Sequence, residues 1–163
     1  MKYSCLVFSE GGKDKKFLMA LIDLPKFKYY TKNWFFNYDN ASGSSPEIIL
    51  DKCRKAILGI SYDLILCFID LDKLKSDHSD KWEKEKIKLE QEYSNFTIIW
   101  QLDNAEDEYK KVLGSKYCSK HKSNQNAKQK VKEFINSDFW KKILKPIKDK
   151  ERELKQLLDD GKD

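Results

Sequence analysis

No stretch of this chain is apolar for long enough to cross a membrane. The longest pure runs, such as LILCFI at residues 64–69, are far short of the roughly 20 residues that a spanning helix needs. The first apolar stretch meets Glu10 too soon for a secretory leader, so a cytoplasmic location is expected. Histidine is scarce: His78 and His121 are the whole supply, which leaves little material for a histidine nuclease or a triad hydrolase. A P-loop is missing, and Gly11-Gly12 lacks the GxGxxG spacing that lets a pyrophosphate approach a helix start. Cysteine is present but unpatterned. Cys5, Cys53, Cys67 and Cys118 have no regular spacing, and two of them fall in predicted strands, so buried reduced thiols are expected rather than bridges. Cys118-x-x-His121 is half a zinc site without a second half.

Charge is abundant instead. Charged residues make up 36% of the 163, against about a quarter in average proteins. A 40% hydrophobic share with 13% aromatics still provides for one ordinary core. The net charge of +5 hides an asymmetry: residues 1–109 carry 16 basic and 19 acidic groups, whereas residues 110–163 carry 16 and 8. Acid gathers where a cation can sit, and base where a polyanion can lie or where a lysine-rich helix simply faces water.

Residues 3–9 read as a continuously apolar strand, followed by Gly11-Gly12 and a helix with Phe17, Leu18, Leu21 and Ile22 on one face. Residues 33–38 are aromatic and strand-like. After them, Ser45 as N-cap and Pro46 at the first helical position open a helix whose expected stripe is Ile48, Ile49, Cys53, Ile57 and Leu58. Residues 64–69, six apolar positions with no alternation, read as a central strand covered on both faces. A charged helix over 79–94 (Trp82, Ile87, Leu89) and a strand over 96–100 follow. The alternation predicts an α/β fold, a mainly parallel four-stranded sheet flanked by helices with right-handed crossovers. Beyond Gly114 the chain turns polar and basic, then apolar-periodic around 131–135 and 139–158, with Pro146 expected to break or kink the last segment. The expected organisation is residues 1–115 as one unit and 116–163 as a basic helical extension packed on it.

In open parallel sheets, ligands bind outside the carboxyl ends of the strands. Glu10 follows the first predicted strand, Asp70 ends the third, Asp72 lies just beyond, and Glu106-Asp107-Glu108 follows the fourth. On an extended chain, Asp70 and Asp72 would share a side and face one cation together. Oxygen-only ligands favour Mg2+ or Mn2+ over zinc, and magnesium keeps waters and substrate phosphates among its ligands. Lys13 and Lys73 are placed to meet phosphate as point charges, or to be solvated like their many neighbours. Asp14 reads as a favourable charge at the positive end of the first helix.

An apolar strand ending in Glu10-Gly11 with Asp14 after it, then an apolar strand ending in Asp70-x-Asp72, resembles the Toprim domain of topoisomerases, bacterial primases, OLD-type nucleases and recombination proteins. The likeness covers about residues 3–115. Within that superfamily the chain is most similar to small RloB-like proteins of restriction and phage-defence loci. The features in common are a Tyr62-Asp63 entry into the DxD strand and a later acid, for which Glu106 is the candidate. The usual acid after DxD is replaced by Lys73.

The resemblance implies Glu10 as general acid/base or metal contact, Asp70 and Asp72 as magnesium ligands, and phosphodiester hydrolysis of DNA or RNA as the default activity. A binding or regulatory Toprim module acting with a protein partner, or as a homodimer, is the alternative. A haloacid dehalogenase-like phosphatase also uses DxD, but after its first strand and with Thr or Val two residues on, where this chain has Leu74. Trp34, Trp100 and Trp140 are candidates for base stacking or, more simply, for the core.

Overall fold

Strands with no polar alternation need cover on both faces, and the helices supply it. The computed structural model describes residues 2–101 and 130–161. Its elements are β1 (Tyr3–Ser9), α1 (Gly12–Ile22), α2 (Pro25–Thr31), β2 (Trp34–Asn40), α3 (Pro46–Ala56), β3 (Leu64–Asp70), α4 (Leu71–His78), α5 (Trp82–Glu92), β4 (Thr97–Gln101) and α6 (Asp138–Asp160). The sheet is parallel throughout, in the order β2-β1-β3-β4.

Every residue of β3 is buried, and its side chains alternate between two cores. Leu64, Leu66 and Phe68 join Cys5, Val7, α1, α2 and α6 on one face. Ile65, Cys67 and Ile69 join Leu6, Phe8, α3, α4 and α5 on the other. Cys5, Cys53 and Cys67 are buried free thiols, as expected; Cys118 and His121 lie outside the described residues. Three of the four tryptophans, those weighed for stacking, are core residues: Trp34 is 5% exposed, Trp100 8% and Trp140 1%.

The helical stripe of α1 is Phe17, Leu18, Leu21 and Ile22, as the sequence predicts. That of α3 is rotated from its expectation: Ile49, Leu50 and Cys53 are buried, while Ile48 and Leu58 are exposed. One residue along a helix is about 100° of rotation, so the contact with the sheet picks Leu50 over Ile48. In α5, Leu89 is buried and Ile87 is exposed.

Two elements are additional to the expected alternation, α2 and α4. The second overturns the extended reading of Asp70-x-Asp72. The strand ends at Asp70, which is the N-cap of α4, and Asp72 already lies in the first helical turn. An acid there is favoured by the helix dipole.

Pro146 does not end α6, which runs through it for 23 residues. Nor is this helix the basic element expected of the C-terminal part. Residues 133–163 hold eight basic and eight acidic groups, and the whole excess of +8 sits in residues 110–132, eight lysines with no acid. Within α6, Lys145–Asp149 and Lys155–Glu151 pair at 2.6 and 3.0 Å. Glu151 also accepts from Asn33 Nδ2 at 3.2 Å, tying α6 to the start of β2. Among the described residues no helix is long and apolar enough to cross a membrane.

Candidate functional site

The chain leaves β1 for β2 on one side and, through α3 on the opposite face, reaches β3 on the other. The order β2-β1-β3-β4 therefore reverses between β1 and β3. Such a reversal splays the flanking loops apart and opens a crevice at the carboxyl ends of the two strands. Ser9 of β1 stands in register with Phe68 of β3. Glu10, one residue further, and Asp70, two residues beyond Phe68, are thus carried to the same point of the rim. The loop after β2 closes against it: Gly43 N–H donates to the Glu10 carbonyl at 2.7 Å and Ala41 N–H to the Ser9 carbonyl at 3.1 Å. Gly43 takes a φ of 83° there, a conformation that glycine adopts without penalty.

Asp70 occupies a position where aspartate ordinarily caps a helix, yet its side chain makes no capping bond. It is 9% exposed, and Oδ1 is buried with no hydrogen-bond partner among the described residues. Burial, then the charge of Glu10, a hydrogen bond with the Glu10 side chain, and the charges of Asp14 and Asp72 push the Asp70 carboxyl up to about 9. Without a cation, burial and these neighbours favour the protonated form of Asp70, hydrogen-bonded to Glu10. A divalent cation would release that proton and satisfy the orphaned oxygen. An all-carboxylate donor set fits a hard ion such as Mg2+ or Mn2+.

The remaining candidates are less gathered. Asp72 is exposed, and its Oδ1 accepts from the Lys73 amide at 2.7 Å; its charge still acts on Asp70. Lys13 is exposed in the first turn of α1. Lys73 Nζ is drawn to Asp77 at 3.1 Å. Glu106, Asp107 and Glu108 lie outside the described residues; β4 ends at Gln101, in register with Asp70. Tyr62 and Asp63 are at the opposite edge of the sheet, before β3. There Asp63 Oδ2 accepts from Ser4 N–H at 2.7 Å and Tyr62 OH from Asn37 Nδ2 at 3.2 Å, which gives both a structural task. Asp14, expected as a favourable charge at the start of the first helix and as the acid that follows Glu10-Gly11, also acts on Asp70 through its charge.

Comparison with protein-family models, curated proteins and solved structures gives no match.

Proposed function

We propose that this chain is a small Toprim-like enzyme that hydrolyses phosphodiester bonds in nucleic acid with Mg2+ or Mn2+, in the manner of restriction and phage-defence nucleases. The observation that carries the reading is Asp70: a buried carboxyl group at the switch point that declines its cap, leaves Oδ1 without a partner among the described residues and is hydrogen-bonded to the Glu10 side chain. Asp70, Asp72 and Glu10 would hold the ion. Bound there, it neutralises charge developing on phosphate oxygens and lowers the pKa of an attacking water. Glu10 is the proton-transfer group, since its side chain is hydrogen-bonded to Asp70 at the same rim. Glu106 supplies a further acid to the same chemistry. Lys13 and Lys73 meet the phosphate, Lys73 after leaving Asp77.

The test is cleavage of labelled single-stranded DNA, duplex DNA, supercoiled plasmid and tRNA with either metal. Glu10→Ala and Asp70→Ala are expected to lose activity by about two orders of magnitude or more, the scale of removing a group that stabilises transition-state charge. A folded wild type that cleaves none of the four but binds one of them would select the alternative, a partner-dependent binding module.

Binding has its own signature. The eight lysines in residues 110–132, with no acid among them, suit a phosphate backbone, and backbone binding releases counterions. Affinity is expected to fall at least about tenfold between roughly 50 and 200 mM salt. An affinity that stayed level across that range in fluorescence anisotropy would count against a nucleic-acid ligand.

A further inference from the structure

A second constellation lies on the α3–α4–α5 side of the sheet, apart from the rim carboxylates. Glu47 in the first turn of α3, His78 at the last position of α4 and Glu85 in the first turn of α5 bring one ligand atom each to within 4.8 Å of one another. His78 Nε2 and Glu47 Oε1 are 3.2 Å apart. All three residues are half-buried.

The chemistry of this set differs from that of the rim. An imidazole nitrogen with two carboxylates suits zinc and other borderline divalent ions, where an all-oxygen set suits magnesium. Two glutamates and a neutral imidazole balance a 2+ ion in charge. Bonds of about 2.0–2.2 Å from such an ion to N and O place its ligands roughly 3.3–3.6 Å apart, close to the separation His78 and Glu47 already have. The ion would also sit at the carboxyl end of α4, where unpaired carbonyls favour positive charge. The turn that brings Glu85 back to His78 runs through Ser79, whose φ is 49°.

The geometry points to a zinc-class divalent cation site formed by Glu47, His78 and Glu85, with water completing the coordination. It is a clamp on three helices. One of them, α4, carries Asp72 in its first turn and His78 at its last residue, so the ion fixes the far end of the helix that Asp70 begins.

The experiment is zinc titration of the full chain by calorimetry in excess magnesium, which keeps the rim carboxylates occupied, with ring NMR of the two histidines as a second readout. Wild type is expected to bind one equivalent at this site and to shift the His78 ring signals. Glu85→Gln is the cleanest variant, because it removes a ligand and leaves the His78–Glu47 contact in place. It and His78→Gln are expected to weaken binding by more than the roughly 10–100-fold that loss of an outer-sphere partner costs. The double variant Cys118→Ser/His121→Gln is expected to bind as wild type does. Wild-type affinity in Glu85→Gln, a His78 ring that zinc leaves unmoved, or loss of binding only in the Cys118/His121 variant would overturn the site and leave an ion pair only. None of these readouts depends on nuclease activity.

Discussion

Asp70→Asn is expected to raise the melting temperature of the metal-free protein at pH 7–8 and, in the same molecule, to abolish the rise that magnesium is expected to produce in wild type. The first effect follows from proton linkage. In the folded chain, burial and the neighbouring acids push the Asp70 carboxyl up to about 9 from an ordinary value of 3.8. Below pH 3.8 both states hold the proton and the folded state suffers no penalty. Between there and about 9 the unfolded chain ionises freely while the folded one does not, so stability is lost as pH rises. Asparagine removes the titration, keeps the shape, and offers Glu10 a permanent amide donor. A gain of at least about 1 kcal/mol, a few degrees in a domain of this size, is the expected result near neutrality, shrinking towards pH 4. The second effect follows from mass action: an ion that binds only the folded state stabilises it, and the variant lacks one of the proposed ligands. Thermal unfolding in chelator and in magnesium, at several pH values, reads both. A variant less stable than wild type at every pH would mean that Asp70 is an ordinary structural residue and would remove the main support for the metal reading.

That a buried acid should weaken its own fold is the pattern of a site kept for a ligand, and it explains which parts of the molecule were legible in the sequence. β1, β3 and β4 stood out because each contains an uninterrupted apolar run, Cys5 to Phe8, Leu64 to Ile69 and Ile98 to Trp100, and Glu10 and Asp70 stood out because each acid lies within two residues of the end of such a run. The helix α4 did not. Its eight residues, LDKLKSDH, contain two leucines, of which Leu74 alone is buried, so no periodicity announces it, and its N-cap was hidden inside the DxD motif. Ile48 and Leu50 are equally apolar, and only the docking of α3 decides between them. Glu47, His78 and Glu85 could not be grouped from spacing at all, because three helices bring them together. Charge told a finer story than halves of the chain revealed. α6 sits in the basic C-terminal third and carries its own salt bridges, while the run of lysines with no acid among them in the sequence precedes it.

The C-terminal helix gives the last large effect: Trp140→Ala is expected to destabilise the protein by about 3–5 kcal/mol. α6 follows the described part of the sheet by more than 30 residues of chain, which invites the view that it is dispensable. Its buried face argues otherwise. Trp140 is 1% exposed and meets Phe27 of α2 edge-on, ring centroids 4.7 Å apart. Phe139 beside it reaches both Phe17 of α1 and Phe68 of β3, at 5.9 and 6.4 Å. Removing the indole opens a cavity between α2 and α6 that aromatic neighbours on regular elements are poorly placed to fill. The entry to the helix is separately held, Ser137 Oγ accepting from Trp140 N–H at 3.2 Å, so Ser137→Ala should cost about 1 kcal/mol without disturbing the ring. Lys141→Ala, on the exposed face, should cost almost nothing. Against a typical total stability of about 5–15 kcal/mol, the tryptophan change leaves a marginal fold and the other two a sound one. Urea unfolding of the three variants orders them. A Trp140→Ala protein as stable as Lys141→Ala would show that α6 lies on the sheet without completing its core, and that residues 130–161 can be removed with the rim site intact.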